Sequence, residues 1–174
     1  KEVLTGKAKF GIFGAGKELA QIALSKYFKN GDYRTGYYRD QTIALATGNV
    51  TMKQLFAQLY AHANAAHDPM SAGRMMNAHY ATRMLDEYGE WNNLMEMKNM
   101  PADLSPTAAQ SLKALGLALA SKLYRNNKDI QHKTTFSNQG NEVTFCTIGD
   151  ASTSEGIFWE SVNAACVMQV PPFS

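Results

Sequence analysis

The sequence predicts an α/β fold built on an open parallel sheet, and three features carry that expectation. Val143-Thr144-Phe145-Cys146-Thr147-Ile148 is a β-branched and aromatic run closed by Gly149-Asp150, the pattern of a strand buried on both faces. Residues 156–167 then read as a helix, so a loop and a helix N-terminus lie at the strand's carboxyl end. Helical patterns also flank this strand on its N-terminal side. In an open α/β sheet the ligand site lies at the carboxyl end of the strands, which points to residues 149–156.

Each element has its own local reason. Residues 16–29 predict an amphipathic helix, because Leu19, Ile22, Ala23 and Tyr27 recur at helical spacing and Asn30-Gly31 supplies a stop. Thr51 caps a second helix running to about His62. Gln54 completes a capping box, and Met52, Leu55, Phe56 and Leu59 form its apolar stripe. Between 64 and 104 the periodicity dissolves into Met, Asn, His and Gly, a stretch too long for an ordinary loop and therefore functional or partly mobile. Ser105 and Pro106 predict the N-cap and first turn of a helix to about Arg125, with Ala109, Leu112, Leu115, Leu119 and Leu123 facing inward. Residues 126–141 read as polar loop.

Composition narrows the function. With 174 residues, 45% of them hydrophobic and 18% charged, the chain has the makings of one globular domain. The net charge of +2 comes from scattered basic residues, so no footprint for a nucleic-acid duplex or an anionic membrane is expected. Cys146 and Cys166 lie in no CxxC or zinc-ligand pattern, and a reducing cytoplasm fits them best. No apolar stretch approaches the roughly 20 residues that span a bilayer. The chain opens on Lys1 rather than Met and stops at Val170-Pro171-Pro172-Phe173-Ser174, so it reads as a piece of a longer polypeptide.

Three motifs compete for the chemistry. Gly11 to Lys17 meets the spacing of a phosphate-binding loop, but Glu18 stands where a hydroxyl should hold magnesium, which favours a plain tight turn into the first helix. His62 and His67, five residues apart, share no helical face, and His132 stands alone, so a metal cluster is not expected. His79, after Gly73-Arg74 and before Tyr80 in the irregular stretch, is the histidine best placed for a catalytic role. The turn from Gly149 to Gly156 offers a carboxylate, small residues and a helix N-terminus, which suits magnesium and a diphosphate. The same residues also suit a plain strand end with Ser152 or Ser154 capping the next helix.

Residues 149–171 resemble the start of the thiamine-diphosphate motif in the α part of 2-oxoacid dehydrogenases, where a GDG-type turn and SEG follow a strand. Tyr38-Arg39-Asp40-Gln41, Phe56 to Tyr60, Gly73-Arg74 through His79-Tyr80, and Ser105-Pro106 through Gln110 resemble further blocks of that family, in its order. The subgroup most similar is the branched-chain (2-oxoisovalerate) type, in a bacterial form with α and β parts fused. The resemblance implies an open parallel-sheet thiamine-diphosphate-binding fold, truncated after the strand, turn and helix of 143–168, with residues 1–174 as the N-terminal part of the α domain.

It also implies roles. Asp150 would ligate Mg2+. The backbone around Gly149, Ala151 and Ser152 would hold the diphosphate of thiamine diphosphate, with Tyr38 and Arg39 on its oxygens. Ser105 and Thr107 would sit at the pyrimidine side, and His79 would line the channel to the thiazolium as the catalytic residue. The reaction implied is oxidative decarboxylation of a 2-oxoacid with acyl transfer to a lipoyl group. The partners implied are the β part of the enzyme, the lipoyl acyltransferase of the complex and the 2-oxoacid itself, in an oligomer without nucleic acid or membrane. Departures matter: Ala151 replaces the second Gly of the turn, and Leu104 and Ala109 replace hydroxyls that hold a potassium ion in some relatives, so no potassium site is expected. The Asn/Asp pair that completes the magnesium shell lies beyond Ser174, so the fragment alone is expected to be inactive. A transketolase-like enzyme and a non-catalytic interaction module are the rival readings.

Overall fold

The computed structural model describes residues 1–8 and 11–170, so the Pro171-Pro172 terminus lies outside the described residues. The elements are α1 (Glu18–Tyr27), β1 (Tyr33–Thr35), α2 (Gln41–Ala46), α3 (Met52–Leu59), α4 (Ala109–Asn126), β2 (Thr144–Cys146) and α5 (Gly156–Val167). Short 3-10 turns cover Leu94–Glu96 and Asp150–Ser154. β1 and β2 pair in parallel, Tyr33 opposite Thr144 and Thr35 opposite Cys146. This mixed architecture with a small parallel sheet is the predicted α/β class. No helix among the described residues is long and apolar enough to cross a membrane.

β1 is a correction to the sequence reading, which placed one strand only. Three residues with an arginine at the centre carry no strand pattern, yet all three are buried. α2 was equally unforeseen. β2 lies within the predicted 143–148 run, and its Phe145 packs edge-on against Phe28 with ring centroids 5.6 Å apart. Around that pair Ala44, Val50, Leu55, Ala78, Tyr80 and Met100 form the main core. A smaller core joins Leu115 and Ala118 of α4 to Ala165 of α5 and to Val170 just after it.

The helices follow their local signals to different degrees. α3 starts as predicted: the Thr51 hydroxyl accepts from the Gln54 backbone N–H, and the Gln54 side chain accepts from that of Thr51. α5 has the predicted bounds. α1 forms, but its apolar stripe faces outward, with Leu19 83% and Tyr27 71% exposed. Its buried residue is Gln21, whose amide donates to the Arg39 carbonyl at 2.9 Å and accepts from the Ile43 N–H at 3.0 Å. The helix docks on backbone that needs hydrogen-bond partners, and a glutamine supplies both kinds.

α4 starts later than predicted. Ser105 is not its N-cap: that position falls to Ala108, in the left-handed region at φ 65°, and the helix begins at Ala109. Its inward face is correspondingly rotated toward Gln110, Ser111, Ala114, Leu115, Ala118 and Ser121, and Leu112 and Leu123 point outward.

The 64–104 stretch is organised by buried polar side chains. The Asp68 carboxylate accepts from Ser71 Oγ and from the Gly73 N–H, at 2.6 and 2.9 Å. Gln58 of α3 accepts from the Ala78 N–H and donates to the His79 carbonyl. Asn99, fully buried, donates to the Leu94 carbonyl at 2.7 Å. Such bonds do for an irregular segment what a ladder does for a strand.

Candidate functional site: a cavity at the carboxyl end of the sheet

Three chain segments converge beyond the carboxyl ends of β1 and β2. Residues 37–39 leave β1, residues 104–108 lead into α4, whose first turn adds Gln110, and residues 149, 151 and 152 leave β2. Together they enclose a cavity of about 100 Å³. Tyr38, Arg39, Ser105, Thr107, Gly149, Ala151 and Ser152, each named from the sequence, all line it. The structure therefore brings together residues up to 114 positions apart (Tyr38 to Ser152).

The first wall is held from behind. Gly14 lies so close to the Arg39 carbonyl that a Cβ there would collide with it. The Gly14 N–H donates to Gln41 Oε1 at 2.9 Å, and Gln41 donates in turn to the Ile12 and Tyr38 carbonyls. The Gly11–Lys17 segment is thus the tight turn the Glu18 substitution favoured, with Gly16 at φ 83°. Its task is to support Tyr38 and Arg39.

Arg39 is half-buried, and its guanidinium donates to the Tyr38 hydroxyl at 3.3 Å. Among the described residues it pairs with no carboxylate. Burial, followed by the nearby Asp40 charge, pushes the Tyr37 phenol up, while Arg39 acts in the opposite direction. Tyr37 therefore stays a neutral donor at the cavity wall.

Gly149 leaves room at the third wall. A Cβ on it would sit 3.5 Å from the Tyr37 hydroxyl, in the gap between the first and third segments. Ser152 is buried, and neither it nor Ser154 caps α5, whose N-cap is Glu155 without a side-chain bond. The Ser-cap reading of this turn is thereby set aside.

His79 and Asp150 stand outside the lining. His79 is buried behind it, with Nε2 2.8 Å from Ser105 Oγ, Nδ1 3.2 Å from the Asn77 carbonyl, and its ring stacked on Tyr38. A carbonyl can only accept, so Nδ1 carries a proton, and in the neutral ring Nε2 then accepts from Ser105. Asp150 is exposed at the start of the 3-10 turn. Among the described residues no three His, Cys, Asp or Glu side chains are grouped to hold a metal ion. Asp150 is one carboxylate beside the site.

What sequence reasoning missed is a buried ion cluster below the cavity. Arg34, fully buried on β1, donates through Nη2 to Asp40 at 2.5 Å and through Nη1 to Asp103 at 3.3 Å. Burial by itself would lower the guanidinium pKa, but Asp103 and then Asp40 outweigh it and raise it. The same carboxylates and, above all, burial keep the Tyr80 phenol protonated. Burial likewise raises Cys146, which stays a thiol and no nucleophile.

Among the described residues the lining has one guanidinium, phenols, hydroxyls and a glycine and no carboxylate, an acceptor-hungry surface at the carboxyl end of a parallel sheet. Such a surface is chemically suited to an anionic group, and it lies where open α/β sheets carry their ligand sites. The dehydrogenase E1 component family model matches residues 3–172, and the chain belongs to that family. It is also 32% identical over 168 residues to the 2-oxoisovalerate dehydrogenase subunit alpha of Bacillus subtilis (strain 168). That match takes in 96% of this chain and 42% of the relative, so the chain spans about two fifths of the length of the curated relative it matches.

Proposed function

We propose that this chain is the N-terminal portion of the α part of a thiamine-diphosphate-dependent 2-oxoacid dehydrogenase, acting on a branched-chain 2-oxoacid. The observation that carries the reading is the convergence of the 37–39, 104–108 and 149–152 segments on one cavity. Its residues fit the diphosphate end of the cofactor: Arg39 offers a charge that pairs with no carboxylate among the described residues, Tyr37 and Tyr38 offer phenols, and Gly149 leaves a gap that a Cβ would fill. Ser105 and Thr107 offer hydroxyls on the opposite wall. Asp150 would contribute a carboxylate to Mg2+, with the other ligands drawn from sequence beyond Ser174.

When bound, thiamine diphosphate supplies the thiazolium carbon at which 2-oxoacids are decarboxylated. This chain's part is to bind and orient. The cavity is below the roughly 300 Å³ at which small-molecule pockets begin. The rest of the pocket would come from the remainder of the α part and from the β part, and the fragment alone would be inactive. Acyl transfer would go to a lipoyl group on the acyltransferase of the complex. His79, buried behind Ser105, would act on the chemistry through that hydroxyl. The free Cys146 and Cys166 suit a reducing cytoplasm.

The test is calorimetric titration of thiamine diphosphate with Mg2+ into the full-length protein, beside Asp150→Ala. Binding by the wild type that is lost in the variant is the expected result. No binding by the wild type, or binding indifferent to Asp150, would overturn the reading. Comparing 2-oxoisovalerate with pyruvate and with a sugar phosphate as substrates then separates the branched-chain assignment from its rivals.

A further inference from the structure

We propose that Arg34 is a positioning residue for the anion site, holding its three walls at a fixed spacing through one buried guanidinium. The inference rests on the cavity being the diphosphate site. An arginine at the centre of a buried strand is costly unless paired. Its two terminal nitrogens reach opposite partners, Nη2 to Asp40 at 2.5 Å and Nη1 to Asp103 at 3.3 Å.

Each carboxylate is chained to a wall. Asp40 follows Arg39 directly, and it also accepts from the Tyr37 N–H at 3.3 Å. The Thr147 hydroxyl, two residues before Gly149, donates to the same Asp40 oxygen. Asp103 immediately precedes Leu104 and Ser105, and it accepts from the Tyr80 N–H at 3.0 Å. The first, second and third walls thus meet at Arg34.

Two features show that the pair is built for and not incidental. A Cβ on Gly36 would overlap both the Arg34 guanidinium and the Asp40 carboxylate, so the chain leaves room for them there. The charge also has a direction: two carboxylates lie beneath a site for an anion, and Arg34 offsets one of them. A lysine keeps the charge but has no planar fork with which to span two partners.

The experiment measures binding of inorganic diphosphate and of thiamine diphosphate, each with Mg2+, to the full-length protein and to Arg34→Lys, Arg39→Ala and the double variant, alongside unliganded thermal unfolding. Arg34→Lys is expected to weaken both ligands about tenfold, with the double variant losing clearly less than the product of the two single losses, because part of the Arg34 effect acts through the Arg39 wall. Independent, additive losses would mean that Arg34 only supports the fold, and would overturn the proposal, as would unchanged affinity in Arg34→Lys. Should Arg34→Lys not fold, Thr147→Val removes one hydroxyl from Asp40. Several-fold weaker binding there supports the proposal, and wild-type affinity overturns it. Failure of the wild type to bind either ligand would instead bring down the diphosphate reading itself, and this proposal with it.

Discussion

Ser105 Oγ and Nε2 of His79 are hydrogen-bonded at 2.8 Å, and this bond joins the cavity wall to a histidine that is itself 3% exposed. The residue whose sequence context suggested a helix cap is instead the link between the site and the buried ring. Ser105→Ala leaves an imidazole nitrogen buried without a partner, which costs about 1–3 kcal/mol. Denaturant unfolding of the full-length protein checks this. Equal stability of the variant and the wild type would mean that the bond has no weight.

Arg39 makes the opposite prediction. Half-buried and, among the described residues, without a carboxylate partner, it is expected to contribute little to the fold. Arg39→Ala should leave the melting temperature nearly unchanged while removing about 1.5–3 kcal/mol of charged hydrogen bonding to a bound diphosphate. By calorimetry that is a loss of one to two orders of magnitude in affinity, larger at low ionic strength.

Tyr33 predicts a limit to stability at alkaline pH. Burial, then the Glu142 and Tyr124 charges, push its phenol up to about 12 from the ordinary 10, and its hydroxyl donates to the Phe136 carbonyl at 3.1 Å. A group whose pKa is raised on folding binds its proton more tightly in the native state. Its contribution is therefore complete below pH 10 and is lost as the pH climbs toward 12. The loss is at most about 3 kcal/mol. Tyr33→Phe should be less stable at neutral pH by about 1 kcal/mol, from the missing hydrogen bond, and should show a flatter fall between pH 10 and 12.

At the start of α3, Thr51→Ala removes the hydroxyl half of a capping box and should cost about 1 kcal/mol. The cap lies outside the cavity lining, so ligand affinity should not change. A variant that lost affinity would place α3 in the site after all.

How much of this was legible varies with how local the cause is. The α3 cap, the strand within 143–148 and the bounds of α5 depend on neighbours a few residues away, and pattern reading finds them. The residues that line the cavity were named through motif blocks, each short, whose order mattered more than any single one. β1 escaped because its burial depends on Asp40 and Asp103, and Asp103 lies 69 positions from the arginine it neutralises. No window of sequence contains that pair. The helical stripe of α1 misled for a related reason. Its periodicity was real, but what the helix meets is the backbone of residues 39 and 43, which Gln21 satisfies and Leu19 could not.

By itself, then, the sequence determined the α/β class, the helices with their own caps and periodicity, and the residue types that an anion site at the carboxyl end of a strand requires. Those are consequences of side-chain spacing and turn chemistry, which act over a few residues. Only the tertiary structure decided that Tyr38, Ser105 and Gly149 face one cavity, that His79 sits behind it, and that Arg34 ties its walls together. Buried charges and backbone groups must find partners wherever the chain brings them, and that pairing is set by the folded chain as a whole.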